Sequence, residues 1–162
     1  MEQHKKVFDQ LEQLGIPFEI VHHPAVFTIE EMEELGIDKK GEIAKNLFLR
    51  DDRGKNHYLV VVKKDKKVDL KELRNRLNSS RLGFASEERL YKYLQLTKGS
   101  VTPLGVINDE ERAVNVVIDK DFVGISKIGV HPNNNTATIF MSFDDLIKVI
   151  KEHGNPIIYT EI

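Results

Sequence analysis

The sequence contains no cysteine, which excludes disulfides, thiol nucleophiles and zinc–thiolate centres. It has no apolar run long enough to span a bilayer, and no apolar segment follows the opening Met-Glu-Gln-His-Lys-Lys. Secretion and membrane insertion are therefore not expected, and a cytoplasmic location is. Neither a Walker phosphate loop nor a dinucleotide fingerprint is present. No serine occupies a nucleophile elbow, and no local Asp–His arrangement favours a hydrolase triad. His22, His23, His57, His131 and His153 are scattered. None has carboxylates or a second histidine at ligand spacing, so neither a metal nor a cofactor is expected. Net charge is small as well, at -2 from 24 basic and 26 acidic residues.

What is present is the composition of an ordinary globule: 162 residues, 40% hydrophobic and 31% charged. That length suits one domain, 1–162, with one substantial core. The charge is uneven along it. Residues 1–52 carry 6 Lys/Arg against 12 Asp/Glu, whereas residues 53–76 carry 9 against 3. The basic segment can attract a phosphate backbone; equally, Lys63, Lys64, Lys66 and Lys67 can simply solubilise a strand end.

Periodicity predicts an alternation of helices and grouped strands. Val7, Leu11 and Leu14 form a helical stripe over residues 3–14 that Gly15 ends. Thr28 with Glu31 is a capping box, followed by Ile29, Met32 and Leu35 as a buried face. Residues 45–50 and 58–62 read as strands of a hairpin, the second apolar enough to be covered on both faces. Asp69, Ser86 and Ser142 are N-cap candidates for three further helices. Strands are expected at 18–21, 80–85, 114–118, 122–130, 136–141 and 156–159. Such an order fits a mixed α/β (α+β) single domain: a mixed, partly barrel-like sheet surrounded by helices, not regular βαβ winding.

Three places concentrate chemistry-bearing residues. Lys45 stands alone at a strand start, where a lysine is usually just exposed. Gly99-Ser100-Val101-Thr102-Pro103-Leu104-Gly105 is a tight polar loop able to aim backbone N–H groups at an anion or oxyanion. Gly129-Val130-His131-Pro132-Asn133-Asn134-Asn135 places an imidazole and three carboxamides in one turn. Taken singly, each of the two loops reads first as a structural turn.

Taken together they carry a resemblance. Ala44-Lys45-Asn46-Leu47-Phe48-Leu49, Gly99 to Pro103 with Val106-Ile107-Asn108-Asp109, and Gly129-Val130-His131-Pro132-Asn133 with Thr136-Ala137-Thr138 occur in one order. His23-Pro24-Ala25-Val26-Phe27-Thr28 precedes them. This pattern resembles the YbaK-like family of freestanding aminoacyl-tRNA editing proteins, related to the insertion domain of bacterial prolyl-tRNA synthetase. It is most similar to the branch that deacylates alanyl-tRNA(Pro). The resemblance implies the YbaK/prolyl-tRNA synthetase-associated fold and a metal-free pocket for the 3′ end of aminoacylated tRNA(Pro). It makes Lys45 and the backbone of Gly99, Ser100, Val101, Thr102 and Pro103 the catalytic set. Asn46, His131, Gly129 and Thr28 become substrate-binding residues, with His131 shaping the amino-acid pocket. Water attacks with help from the substrate's own ribose hydroxyl. A monomer is expected, with prolyl-tRNA synthetase as a possible partner. Leu104-Gly105 stand where an aromatic residue is common in the family, which leaves serine or cysteine open as the edited amino acid. A tRNA-binding module without turnover, or a regulatory protein of the same fold, is the alternative.

Overall fold

The computed structural model describes residues 2–162; Met1 lies outside the described residues. Helix α1 (Glu2–Gln13) is followed by strand β1 (Glu19–His22), helix α2 (Ile29–Glu34) and a 3₁₀ turn at Ile37–Lys40. The hairpin β2 (Glu42–Arg50) and β3 (His57–Lys63) comes next, then α3 (Leu70–Leu77), the two-residue β4 (Gly83–Phe84) and α4 (Glu87–Leu94). A 3₁₀ helix at Pro103–Asn108 leads to β5 (Val114–Asp119). The remainder is β6 (Ile128–Val130), β7 (Ala137–Met141), α5 (Phe143–His153) and β8 (Ile157–Thr160).

Helix starts follow the caps read from the sequence. Thr28, Ser86 and Ser142 each accept a hydrogen bond from the N–H three residues on, and Asp69 accepts from Lys71 and Glu72. At α2 the capping box is shifted by one residue: the Glu31 carboxylate accepts from the N–H of Phe27 at 3.2 Å, rather than from Thr28 N–H. The buried face of α2 also differs from expectation. Met32 is buried, but Leu35 follows the last helical residue as its C-cap and is 47% exposed. Ile37, beyond Gly36 with its left-handed φ of 72°, is buried in its place.

The strands form one eight-stranded mixed sheet in the order β1-β7-β6-β2-β3-β5-β8, with β4 added to β2. The β2–β3 hairpin is antiparallel, pairing Ala44 with Lys63 through to Arg50 with His57. β3–β5, β5–β8 and β2–β6 are parallel. Leu59, Val60, Val61 and Val62 are all fully buried, as a central strand covered on both faces requires. The expected extended span 122–130 is shorter in the structure. A 3₁₀ turn at Lys120–Phe122, capped by Asp119, takes its start, and only Ile128–Val130 pairs.

The main apolar cluster lies between the sheet and α1, α4 and α5, through Val7, Leu11, Leu94, Leu146 and Ile150. A second cluster, with Leu49, Val60, Val62 and Leu73, puts α3 on the opposite face. A third gathers Val26, Met32, Ile37, Ile43 and Phe140 under α2. Among the described residues no helix is long and apolar enough to cross a membrane.

Topology itself opens the site. One edge of β2 pairs with β3 along residues 44–50. Its other edge meets β6 only at Glu42 and Ile43, and meets β4 only at Leu49 and Arg50. Between these two short ladders the edge has no neighbouring strand, and Lys45 and Asn46 stand in that gap.

Candidate active site

A cleft of about 500 Å³ occupies the gap. Lys45 and Asn46 line it from β2, Gly99 and Val101 from the loop before the 3₁₀ helix at Pro103–Asn108, and His131 from just after β6. The segment Val26–Glu30, with Met32 and Glu33 of α2, also lines it, as do Lys64 and Asp65 just after β3. Three motifs spread over more than eighty residues of chain, from Lys45 to His131, therefore meet around one space.

Lys45 Nζ donates to the backbone carbonyl of Lys66. That carbonyl belongs to a firmly held turn, because the Lys66 ammonium is bound at 2.8 Å to the buried Asp119 carboxylate and at 2.6 Å to Asp121. The pairing holds the Asp121 carboxyl below its ordinary range, through the hydrogen bond first and the charge second. Lys64 is likewise occupied, pairing with Glu33 at 3.0 Å and Asp65 at 3.2 Å, and so tying α2 to the end of β3. The basic segment read from the sequence is thus partly neutralised in the fold. Lys45 forms no ion pair among the described residues.

Asn46 Nδ2 donates to Val101 O at 3.3 Å, joining β2 to the Gly99–Pro103 loop. Because a carbonyl can only accept, this bond fixes which end of the carboxamide faces the loop. Asn46 Oδ1 is then a buried acceptor without a partner. Such atoms are rare in folded proteins and call for a reason.

His131 follows β6. Its Nδ1 lies 3.1 Å from Ala137 O, so Nδ1 carries the hydrogen and donates, and Nε2 is left as an acceptor in the neutral ring. Burial lowers the His131 pKa; the Ala137 carbonyl works against this, and His23 adds to it. His23, whose ring centroid is 6.3 Å away, is fully used: Nδ1 faces Pro24 O and Nε2 faces Thr138 Oγ1, each at 2.9 Å.

The other residues singled out in the sequence take supporting positions. Thr102 is fully buried; its Oγ1 donates to His131 O at 2.7 Å, bracing the Gly99–Pro103 loop against the histidine turn. Pro103 opens the 3₁₀ helix, and Ser100 is buried; neither borders the cleft, nor does Thr102. Gly129 lies beneath the site: a Cβ there would come within 2.7 Å of Ile43 and Phe140 side-chain atoms, so glycine permits the close approach. Thr28 does line the cleft, but its hydroxyl caps α2. The apolar wall of Val26, Ile29, Met32 and Ile43 was not singled out from sequence as part of a site. Ile29 and Met32 stood there in the helical stripe of α2, which reads equally as core, and Val26 in the His23–Thr28 motif.

The mixed α/β single domain fits the fold expected of an aminoacyl-tRNA editing domain. The family model of that description matches residues 23–149, and the chain belongs to this family of aminoacyl-tRNA ester hydrolases. Among its relatives, the prolyl-tRNA editing protein ProX of Acetoanaerobium sticklandii is 51% identical over 155 residues, covering 96% of this chain and 94% of that one. The prolyl-tRNA synthetase associated domain-containing protein 1 of Mus musculus is 39% identical over 154 residues, covering 92% and 90%. A solved structure of a candidate trans-editing enzyme for prolyl-tRNA synthetase superposes with a TM-score of 0.75 at 19% identity, over 100% of this chain and 98% of that one. At that identity the likeness concerns the fold.

Proposed function

We propose that this protein removes alanine from mischarged Ala-tRNA(Pro) in trans. The observation that carries the reading is the convergence of Lys45, Asn46, Gly99, Val101 and His131 on one cleft, together with a relative named for prolyl-tRNA editing. An aminoacyl ester is already activated, so hydrolysis needs a positioned water and charge stabilisation more than a protein nucleophile. Lys45 is a compact cation suited to the terminal phosphate or to charge developing on the ester oxygen. The unpartnered Asn46 Oδ1 accepts from a substrate hydroxyl or ammonium. The ribose 2′-hydroxyl assists the attacking water, and the Gly99–Pro103 loop faces the ester carbonyl through Gly99 and Val101, its two cleft-lining residues. His131, neutral and with Nε2 free to accept, receives the substrate ammonium in the cleft. The apolar wall under α2 sets the size of side chain admitted. Size alone discriminates modestly per methylene, so tRNA contacts, or prolyl-tRNA synthetase itself, supply the rest of the specificity.

The test is a deacylation panel on Ala-, Ser-, Cys- and Pro-tRNA(Pro), with and without prolyl-tRNA synthetase. Turnover fastest on Ala-tRNA(Pro) and absent on Pro-tRNA(Pro) is expected. Lys45→Ala should lower kcat/KM about 100-fold or more, the scale of losing one transition-state donor. Saturable binding of every charged tRNA with no turnover would instead identify a binding module. Wild-type rates in Lys45→Ala would remove the role given to that lysine.

A further inference from the structure

Phe27 is a large apolar side chain left 65% exposed at the mouth of the cleft. Exposure alone is unremarkable for an apolar residue, and the other exposed aromatics, Phe84 and Tyr91 among them, lie away from this cleft. What distinguishes Phe27 is that two remote segments are shaped to hold it there without burying it. Its N–H donates to the Glu31 carboxylate at 3.2 Å. The preceding residue is clamped from both sides: Val26 N–H donates to Asn135 O at 3.2 Å, and Asn135 Nδ2 donates to Val26 O at 3.1 Å. The ring then rests on Gly99. A Cβ at Gly99 would stand 2.5 Å from Phe27 Cδ1, and its φ of 90° is one that residues with side chains seldom adopt. The glycine that opens the Gly99–Pro103 loop thus serves as the seat of this aromatic ring.

A held, mostly exposed aromatic ring in the same cleft as a lysine that no carboxylate pairs is an arrangement that binds an unpaired base, because every base offers a π-face. We propose that Phe27 is the stacking platform for the base of the terminal nucleotide at the tRNA 3′ end. The proposal rests on the editing reading above and extends it. The base lies on the ring at the mouth, the ribose and ester pass over Lys45 and Asn46, and the amino acid enters toward Met32 and His131. The sequence-distant contacts of Phe27 with Gly99 and of Asn46 with Val101 place base and ester on one rigid frame. Amino-acid selection is then made at a fixed distance from the stacked base.

The experiment uses the full chain and an uncharged acceptor-stem microhelix whose terminal adenine is replaced by 2-aminopurine, a base whose fluorescence is quenched by stacking. Wild type and Phe27→Tyr should quench and bind alike. Phe27→Leu, which keeps an apolar contact with Gly99 but has no π-face, should bind about 5- to 100-fold more weakly, the loss expected for one stacked base. That difference should vanish on a microhelix whose terminal nucleotide is abasic. In deacylation assays Phe27→Leu should raise KM by the same factor. Equal binding of the based and abasic microhelices by wild type overturns the proposal without any variant, as does a Phe27→Leu protein indistinguishable from wild type. Absence of hydrolysis of any charged tRNA(Pro) by wild type refutes the editing reading alone, and the fluorescence arm still decides the stacking.

Discussion

Replacing Thr102 with valine separates a structural role from a chemical one within the loop that the family resemblance marks as catalytic. Valine preserves the shape of threonine and removes only the hydroxyl. That hydroxyl donates to His131 O at 2.7 Å and accepts from Leu104 N–H at 3.4 Å, in a side chain with no exposed surface. Leaving a buried carbonyl without its donor costs about 1–3 kcal/mol, and the lost acceptor at the start of the 3₁₀ helix adds up to about 1 kcal/mol. A total near 2 kcal/mol corresponds to a melting point lower by roughly 4–8 °C for a chain of this size. Thr102→Ser keeps the hydroxyl and loses a methyl group, at a cost of about 1 kcal/mol. Urea and thermal unfolding of both variants measure these differences. Deacylation, assayed where each is fully folded, should fall less than about 10-fold in Thr102→Ser, far short of the loss at Lys45. If Thr102→Val melts with wild type and yet loses hydrolysis, the hydroxyl acts on the substrate and the bracing argument is wrong. If it is unchanged in both, the bond to His131 is immaterial.

Acid should destabilise the fold through His57, whose pKa burial, and then the charge of Arg89, lower from 6.5 to about 4. The unfolded chain takes up a proton near 6.5 and the folded one only near 4, so stability is complete above pH 6.5 and declines by about 3 kcal/mol as pH falls through that window. His57→Gln, which retains an acceptor for Arg89, should flatten the decline in pH-resolved urea titrations; an unchanged slope would refute it. Asp119→Asn should loosen the Lys66 turn that receives Lys45 Nζ and lower kcat/KM by about 10- to 100-fold. In a Lys45→Ala background it should do nothing further, and an additive loss would contradict the relay. His131→Ala should shift the ratio of Ala- to Ser-tRNA(Pro) hydrolysis more than it shifts the melting point, and a change in stability alone would remove His131 from the pocket.

Much of this architecture is written in short-range chemistry and could be read without coordinates. Thr28, Asp69, Ser86 and Ser142 are caps because a small oxygen-bearing side chain reaches the free N–H groups of the first turn, and all four accept such bonds. The buried run Leu59–Val62 identifies the sheet centre in the same way. Long-range consequences were less legible. Nothing local distinguishes Leu35 from Ile37 as the buried residue; the left-handed Gly36 between them reverses the chain and exchanges their roles. Phe27 stood in the sequence only as one residue of the His23–Thr28 motif, since its seat is Gly99, which lies far along the chain. The lapse in pairing along β2 is a property of the topology, which no window of sequence contains. Ser100, Thr102 and Pro103 read as one polar loop with Gly99 and Val101, but only the last two border the cleft.

The distribution of partners among the lysines explains how a cleft with acidic neighbours keeps a cation for its ligand. Lys64 and Lys66 flank the site and are each met by two carboxylates within 3.2 Å. Lys45 is met by a peptide carbonyl. A carbonyl orients an ammonium without cancelling its charge, whereas a carboxylate does both. The acidic residues therefore fix the frame, holding α2 through Glu33 and the Lys66 turn through Asp119, and the frame presents one uncompensated charge to the gap in the sheet. Adding a carboxylate within reach of Lys45 would stabilise the apo protein and weaken the site, which is why the strength of this cleft lies in what Lys45 is not paired with.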